Sequence, residues 1–396
     1  LTRTCTVLQA GIPPVLELVP LSTNLPAAGA SGRTLEVTAN IPWNATTNRS
    51  WLSITSGESG TTNGTVTFAV PSNTYSIIRT GAVMVAGVGL TRTCVVVQAA
   101  GGLTPTNWFV ATNGNDSADG TTWATAKLTI QAGVDAAGSG DTVWVSNGVY
   151  ATGGRVAIGT WTNRVAIDKP LTVRSANGPE TTFIVGAGWR CAYVADSAVL
   201  SGFTLTNGAT AVVAGLFDTN MDHDGGGALC ESSGMLTNCI LADNWASDGG
   251  GGASGGILNN CTLSGNYSWN IGGGAEGSTL NRCILSGNRA DMWGGGAYNS
   301  TLTECTLIGN RAASGGGAFN STLGDCVLTT NWASDSGGGA QGGTLTHCVL
   351  ESNRCAGSVG GGGADSAVLH NSLLAGNQAL PSSSPLDEPR GGGTRN

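Results

Sequence analysis

The sequence predicts an all-β chain in two parts, a small β-sandwich followed by a right-handed parallel β-helix, which is a solenoid of stacked short strands. Three observations support this prediction. The first ten residues recur almost unchanged 89 positions later. A unit of about 22 residues repeats through the second half of the chain. Glycine accounts for 64 of 396 residues and is concentrated after residue 224, without the three-residue period of collagen.

Composition excludes several classes of protein. Hydrophobic residues make up 40% of the chain, so it can bury a core and is not compositionally disordered. The net charge is −8 with only two lysines, which argues against a nucleic-acid partner. No run of 18 apolar residues is present to span a membrane. Because the chain starts at Leu1 inside a strand-like segment, we expect it to be a piece of a larger protein.

The N-terminal repeat defines the first domain. LTRTCTVLQA at 1–10 matches LTRTCVVVQA at 90–99 at eight of ten positions. We therefore expect residues 1–11 to be the last strand of a preceding repeat, and residues 12–101 to form a complete copy. A unit of this length with alternating strands is typical of an Ig-like β-sandwich. Residues 102–107 are predicted to be a linker.

The first domain also resembles a known family. Residues 41–60 (IPWNATTNRSWLSITSGESG), 73–87 and the closing VVVQAAG at 95–101 resemble BACON domains. The resemblance covers residues 12–101 and implies either a carbohydrate-binding module or a spacer. Trp43 and Trp51 are the aromatic residues that would bind sugar in the first case and pack the sandwich in the second.

The second repeat is anchored by Gly-Gly-Gly-Ala and continues as Leu-x-x-Cys-x-Leu-x-x-Asn-x-Ala. The anchoring alanines are Ala228, Ala253, Ala275, Ala297, Ala318, Ala340 and Ala364. The cysteine position is occupied by Cys239, Cys261, Cys283, Cys305, Cys326 and Cys348, and by Ser372 in the last unit. The asparagine position is occupied by Asn244, Asn266, Asn288, Asn310, Asn331, Asn353 and Asn377.

This repeat predicts a β-helix. Glycine and asparagine oppose helix formation, and the units have too little apolar bulk for leucine-rich repeats. Stacked coils place like residues above one another at ~4.8 Å, so leucines and cysteines should form buried columns of free thiols and aliphatic groups. We expect asparagine to lie at a turn, where its amide can bond the same group one coil up and where it tolerates left-handed backbone. The glycine triplet should turn the chain sharply.

The remaining segments complete the domain plan. Residues 108–140 are predicted to begin the β-helix, and the amphipathic pattern of 126–137 predicts an N-terminal capping helix. Residues 141–380 should form the β-helix, with regular coils from 224, and residues 381–396 a linker or ragged end. The opening VATNGNDSADGTTWATA resembles secreted pectate-lyase-like proteins, and the Gly-Gly-Gly-Ala and Leu-x-x-Asn repeats resemble the motifs of polymorphic outer-membrane proteins. These resemblances imply a secreted or cell-surface, outer-membrane-associated bacterial protein.

Three groups of residues are candidates for chemistry, because catalysis needs unlike residues at one place. Asp218, Asp222, His223 and Asp224 interrupt the repeat; they could do acid–base work or bind a cation, or form a solvated turn. Oxygen-bearing side chains in a second loop could hold calcium or form a tight turn: Asn113, Asn115, Asp116 and Asp119. The outward residue after each repeat asparagine forms a surface row, with Trp269 and Trp293 nearby: Trp245, Tyr267, Arg289, Arg311, Trp332, Arg354 and Gln378.

The surface row suits sugar stacking and acidic polysaccharides, or it simply covers neighbouring coils. The leading hypothesis is a non-catalytic, adhesin-like, carbohydrate-associated protein, and the expected partner is a polysaccharide or other glycan. The alternatives are a polysaccharide lyase or glycosidase and a passive surface stalk. No cofactor beyond a possible calcium ion is expected, and a monomeric rod is the expected form.

Overall fold

The computed structural model describes residues 13–73, 77–101, 106–211, 221–357 and 360–380, together with the backbone of 394–395. Contacts divide the chain into two compact units, Leu1–Pro105 and Thr106–Asn396. The division falls inside the predicted linker. In the described residues, no helix is long and apolar enough to cross a membrane.

The first unit contains two β-sheets. The first sheet is antiparallel, and its strands in spatial order are Leu16–Val19, Ala30–Ala39, Gly64–Val70 and Ser53–Ser56. The second sheet has strands in the order Ser22–Leu25, Leu90–Gln98, Arg79–Gly87, Trp43–Thr47 and Ser59–Gly60. Ser22–Leu25 pairs in parallel with its neighbour, and the other pairs of the second sheet are antiparallel.

Buried and exposed residues alternate along these strands, and the buried ones form one core between the two sheets. Leu35 and Phe68 from the first sheet and Val83 and Val96 from the second belong to a single buried cluster. Trp43 is buried in the same cluster, and its indole Nε1 donates to the Thr62 carbonyl at 2.7 Å. Trp43 therefore packs the core.

Four columns of short strands build the second unit. Sheet H1 consists of Asn107–Val110, Thr142–Val145, Thr172–Ser175, Val199–Ser201, Met235–Thr237, Ile257–Asn259, Thr279–Asn281, Thr301–Thr303, Thr322–Gly324, Thr344–Thr346 and Val368–His370. Sheet H2 consists of Gly148–Tyr150, Thr182–Val185, Thr204–Thr206, Ile240–Ala242, Thr262–Ser264, Ile284–Ser286, Thr306–Ile308, Val327–Thr329, Val349–Glu351 and Leu373–Ala375.

Sheet H3 consists of Arg155–Val156, Thr162–Ile167, Arg190–Val194, Ala228–Cys230, Ala253–Ser254, Ala275–Glu276, Ala297–Tyr298, Ala318–Phe319, Ala340–Gln341, Ala364–Asp365 and Thr394–Arg395. Sheet H4 consists of Trp245–Ala246, Tyr267–Ser268, Arg289–Ala290, Arg311–Ser314, Trp332–Ser336, Arg354–Cys355 and Gln378–Ala379. Short 3₁₀ turns lie at Trp123–Thr125 and Met221–His223. All neighbouring strands pair in parallel except Arg155–Val156, which is antiparallel to Thr162–Ile167. The unit is a parallel β-helix.

The repeat positions stack as predicted. Cys261, Cys283 and Cys305 are each 1% exposed, and the backbone N–H of one donates to the sulfur of the next at 3.3–3.4 Å. The described cysteines are free thiols, and each ladder thiol donates to a leucine carbonyl of the preceding coil, as Cys283 does to Leu258 at 3.4 Å. The predicted cysteine column is therefore confirmed.

The asparagine column is a buried hydrogen-bond ladder. The Asn288 amide nitrogen donates to the Leu263 carbonyl at 2.9 Å and to the next asparagine oxygen, of Asn310, at 3.0 Å. Its own oxygen accepts from the backbone and side-chain nitrogens of Asn266 at 3.0 and 2.9 Å. The left-handed backbone of this turn lies at the residue before the asparagine, for example Gly287 with φ 61°, because the asparagine must point inward to bond the ladder.

Each glycine of the triplet has its own role. Gly272 has φ 59°, which side-chain-bearing residues rarely adopt. A Cβ on Gly273 would lie 2.2 Å from the carbonyl oxygen of Arg289 in the next coil. A Cβ on Gly274 would lie 2.5 Å from the carbonyl oxygen of Gly296. The triplet therefore combines one left-handed turn with two close backbone contacts.

A short helix packs on the first strands of sheet H1. It spans Ile130–Ala136, less than the 126–137 suggested by the sequence. It begins late because Thr129 is the N-cap, and the Thr129 hydroxyl accepts from the Ala132 N–H. Ile130 and Val134 join the buried cluster of the β-helix.

Candidate functional site

Two adjacent rows of half-buried or buried residues flank the glycine triplets, and we call them together the turn face. One row contains the residue before each of the first six triplets: Asp224, Gly249, Ile271, Trp293, Ser314 and Ser336. Its middle members form parallel bridges from coil to coil. The other row contains the second residue of successive H3 strands: Ser254, Glu276, Tyr298, Phe319, Gln341 and Asp365. These positions vary in a chain whose neighbouring positions repeat.

Two carboxylates converge at the upstream end of the turn face. Glu276 Oε2 and Asp224 Oδ1 lie 2.9 and 3.1 Å from the position that a Cβ on Gly249 would take, so they are at most about 6 Å apart. Asp224 Oδ1 accepts the Gly249 N–H at 2.9 Å, and Glu276 Oε2 accepts the Ser254 hydroxyl at 2.7 Å. Both carboxylates line a cleft of about 660 Å³ that Tyr193 and other residues also line.

Burial and nearby negative charge raise the pKa values of both carboxyl groups. Burial first, and then the charges of Glu276 and Asp248, raise the pKa of Asp224 to about 7. Burial, with Asp248 adding to it, also raises the pKa of Glu276. Near neutral pH this pair holds a carboxyl that can carry a proton beside one that can be ionised.

The fully buried Arg190 fixes the backbone that carries Asp224. Its guanidinium donates to the Asp224 carbonyl at 2.7 and 3.0 Å, to the Met221 carbonyl at 2.6 Å and to Asn163 Oδ1 at 3.0 Å. Burial lowers the pKa of Arg190 to about 10. Because these donors are used on backbone and amide oxygens, Arg190 positions Asp224 and presents no charge at the surface.

An aromatic patch follows directly downstream. The ring centroids of Trp293, Tyr298 and Phe319 lie 5.4–6.3 Å apart, and their planes are within 21° of parallel. All three side chains are half-buried. Tyr298 is one coil, ~4.8 Å, beyond Glu276 in the same row. The turn face therefore places aromatic carbon beside paired carboxylates.

The raised pKa of Asp224 predicts a pH dependence of stability. The free energy of unfolding should fall as pH rises from 3.8, the ordinary value, to about 7, because the folded state retains a proton that the unfolded state has lost. Asp224→Asn should flatten this fall, whereas Asp243→Asn at an exposed position should leave it in place. Chemical denaturation at several pH values measures it. Parallel curves for wild type and Asp224→Asn would contradict the prediction.

The described residues of the predicted catalytic loop have separate hydrogen-bond partners. Asp218 lies outside the described residues. Asp222 is buried, and its carboxylate accepts from the Thr160 N–H, the Thr160 hydroxyl and the Trp161 N–H at 2.6–3.1 Å. His223 is buried, and its carbonyl accepts from Thr210 and Asp248. Of the described loop residues, Asp224 is the one that joins the turn face.

In the predicted calcium loop, the described side-chain oxygens serve local hydrogen bonds. Asp116 accepts from the Leu128 and Thr129 N–H groups at 2.8 Å and so supports the start of the helix. Asn115 and Asp119 accept from residues two positions ahead. Asn113 is exposed. Among the described residues, no group of three or more His, Cys, Asp or Glu side chains is placed to hold a metal ion. Calcium binding here stays a prediction.

The predicted aromatic–arginine row lies in register along sheet H4. Its rings already have partners in the protein. The Arg289 guanidinium lies 5.2 Å from the Tyr267 ring, and the Arg311 guanidinium lies 4.1 Å from the Trp332 ring. Trp245 meets Trp269 edge to face at 5.6 Å. Arg354 and Gln378 are exposed. The H4 row is a surface row in which the rings of Tyr267, Trp332 and Trp245 each have one of these neighbours against them.

Sequence reasoning missed Glu276, Tyr298 and Phe319. They follow the alanine of Gly-Gly-Gly-Ala, where the alternation of a strand makes them point outward. The residue at this position differs from unit to unit, although the Gly-Gly-Gly-Ala before it is repeated. A search for non-repeating positions would have found them.

Comparison with known proteins identifies no family. No family model and no curated protein matches the chain. Three solved structures share 12% identity with it. A rhamnogalacturonan lyase has a TM-score of 0.36, covering 68% of this chain and 86% of its own, and XylC in complex with xylose has 0.33, covering 62% and 69%. A Bacteroides ovatus GH5 xyloglucanase, in complex with a XXXG heptasaccharide, has 0.21, covering 48% of this chain; this chain spans about half of its length.

Proposed function

We propose that this chain is a secreted or cell-surface protein that binds a polysaccharide along the turn face. The observation that carries the proposal is the aromatic patch of Trp293, Tyr298 and Phe319 next to the Asp224–Glu276 pair. Sugar rings pack their C–H faces on aromatic carbon, and their hydroxyls bond to carboxylate oxygens. Coils that repeat every ~4.8 Å space the turn-face residues evenly, so successive sugars would meet different side chains in a fixed order.

The proposal includes an adhesin-like role without turnover. A second candidate, a glycoside hydrolase, is favoured by one observation, the Asp224–Glu276 separation of at most about 6 Å with raised pKa values. Glycosidases use one protonated and one ionised carboxyl group across the scissile bond. Reducing ends that appear with wild type and disappear with Glu276→Gln would establish hydrolysis; binding without products would leave the adhesin-like role.

A lyase acting on an acidic polysaccharide is less consistent with the turn face. The residues of its two described rows include carboxylates but neither lysine nor arginine. An anionic polymer would need cations to offset its charge. Arg289, Arg311 and Arg354 lie in one surface row, and that row belongs to sheet H4.

The aromatic patch gives the sharpest test of binding. Tyr298→Ala should weaken polysaccharide binding about 10- to 100-fold, because it removes the patch ring that lies one coil beyond Glu276. Trp332→Ala is the matched control, since that ring lies on sheet H4 under Arg311. Titration calorimetry or affinity electrophoresis on a panel of soluble polysaccharides measures the effect. Equal losses in both variants, or a loss confined to Trp332→Ala, would move the binding site to sheet H4.

A further inference from the structure

We propose that the turn face recognises the end of a glycan chain, held in the cleft beside Glu276, and not a stretch inside the chain. This inference rests on the proposed function and narrows its ligand to short oligosaccharides and chain ends. Three features carry it: a wall that closes the upstream side of the turn face, a cleft against that wall, and the short length of the partly exposed row.

The wall is built by an apolar cluster on sheet H3. The row that contains Ser254 and Glu276 continues into the preceding coils as Leu229, Tyr193 and Ala166. These three residues are buried in one cluster, and Ala157 and Ile158 pack against it. A glycan that follows the row upstream from Glu276 therefore meets Ile158 and cannot continue along the same row.

The cleft of about 660 Å³ lies against this wall. Ile158, Met221 and Leu229 line it together with Ser254 and Glu276. Sites for small ligands are typically concavities of about 300–1,000 Å³ with apolar walls and a few polar groups, and the cleft has this composition. Leu229, Ser254 and Glu276 lie on three successive coils, so the cleft extends about 10 Å along the row, the length of about two sugar residues.

The polar side chains next to the wall are bonded within the protein. The Tyr193 hydroxyl donates to Glu231, and the Glu231 carboxylate also accepts the Asp196 N–H at 2.9 Å. The Asp196 carboxylate accepts from the N–H and the hydroxyl of Ser233 at 2.8 and 2.7 Å. These bonds fix the shape of the closed end, so we assign the contact with the sugar to Glu276.

Glu276 suits the hydroxyl of a terminal sugar. Its Oε2 accepts the Ser254 hydroxyl at 2.7 Å, and a carboxyl group has further acceptor sites whether or not it is protonated. A terminal sugar carries a hydroxyl where an internal sugar carries a glycosidic bond. An internal sugar needs room for a neighbour on both sides, whereas the wall leaves room on one side.

The partly exposed part of the row is short. Four successive positions are half-buried: Glu276, Tyr298, Phe319 and Gln341. Ser254 and Asp365, which flank them, are each only 8% exposed. At ~4.8 Å per coil the four positions span about 14 Å, or about three sugar residues. A chain with its end in the cleft therefore fills this row within a few units, and further units gain no contact there.

The experiment is a length series measured by titration calorimetry. Neutral β-linked glucans, xylans and mannans are each supplied as a hexamer and as a soluble fraction about ten times as long. For a sugar that binds, the dissociation constant per mole of chains should agree within twofold between the two lengths, with one protein bound per chain.

Binding to the chain interior gives a different result. The long fraction would then carry several protein molecules per chain, and its dissociation constant per mole of chains would be at least fivefold lower than that of the hexamer. This result would overturn end recognition and leave polysaccharide binding intact. If no hexamer and no long fraction binds, the proposed function itself is wrong.

Met221→Trp tests where the chain end lies. Met221 lines the cleft and is 50% exposed, so an indole there fills the cleft without entering the core. The affinity for the hexamer should fall at least tenfold. Val327→Trp adds the same ring at an exposed position of sheet H2 and should leave the affinity unchanged. An unchanged affinity in Met221→Trp, with folding verified by circular dichroism, would place the chain end elsewhere and overturn the inference.

Discussion

Asn288→Ala is expected to lower the free energy of unfolding by about 3–5 kcal/mol, although it removes only a small polar group. Four hydrogen bonds of the Asn288 side chain are lost. The Leu263 carbonyl and the Asn266 backbone N–H then lose these bonds inside the coil, and the Asn266 amide keeps only its bond to the Leu241 carbonyl. Each unsatisfied buried group costs about 1–3 kcal/mol. Denaturant unfolding followed by tryptophan fluorescence measures the loss.

Asn281→Ala is the matched control for the asparagine ladder. Asn281 lies on the same coil at a half-buried position, and its amide donates to Asn259 at 2.9 Å. Because water can replace that bond, the loss should stay below about 1 kcal/mol. Similar small losses for both variants would show that the buried ladder does not hold the coils together.

Gly273→Ala is the second change with a large expected effect. The new methyl group would lie 2.2 Å from the Arg289 carbonyl oxygen and 2.6 Å from that of Gly295, both in the backbone of the next coil. The backbone of one coil cannot move away from this methyl group without breaking the parallel hydrogen bonds to its neighbouring coil. We expect a loss of more than about 4 kcal/mol, or a chain that does not fold.

Gly277→Ala separates steric contact from backbone conformation. Gly277 has φ 58° with nothing within 4 Å of a built Cβ, so alanine there meets only the left-handed penalty of about 1–2 kcal/mol. Circular dichroism melts of the two variants make the comparison. If Gly277→Ala lowered the stability more than Gly273→Ala, close contact between coils would not explain why the second residue of the triplet is glycine.

The stacked columns could be predicted because a period of 22 residues fixes which side chains share a position. The buried cysteines followed from that period alone, and so did the outward row on sheet H4. The backbone conformation at the turn that contains the ladder asparagine could not be predicted in the same way. Both Gly287 and Asn288 tolerate left-handed φ, and only the need of Asn288 to reach Leu263 and Asn310 decides between them.

The site was harder to predict than the fold because the repeated positions are structural, whereas the candidate site residues lie at positions that do not repeat. Asp224 was noticed as part of an insertion, but Asp222 beside it holds the Thr160–Trp161 turn instead. Glu276 is 52 positions from Asp224 in sequence and two coils away in space. Such convergence depends on coil geometry, which spacing within one unit does not reveal.

The second unit thus has two chemically different surfaces. The H4 row is cationic, and Arg311 lies on the Trp332 ring. The turn face is acidic, and its aromatic rings contact one another. These surfaces should prefer glycans of opposite charge, so the identity of the bound sugar and its location test each other.

A crystal structure of the chain soaked with an oligosaccharide that it binds in solution is the most direct measurement of where glycan binds. The account predicts a sugar ring packed on Tyr298 and Phe319, with the hydroxyls of its neighbour close to Glu276. Sugar found along sheet H4 over Arg311 and Trp332, with the turn face empty, would contradict it.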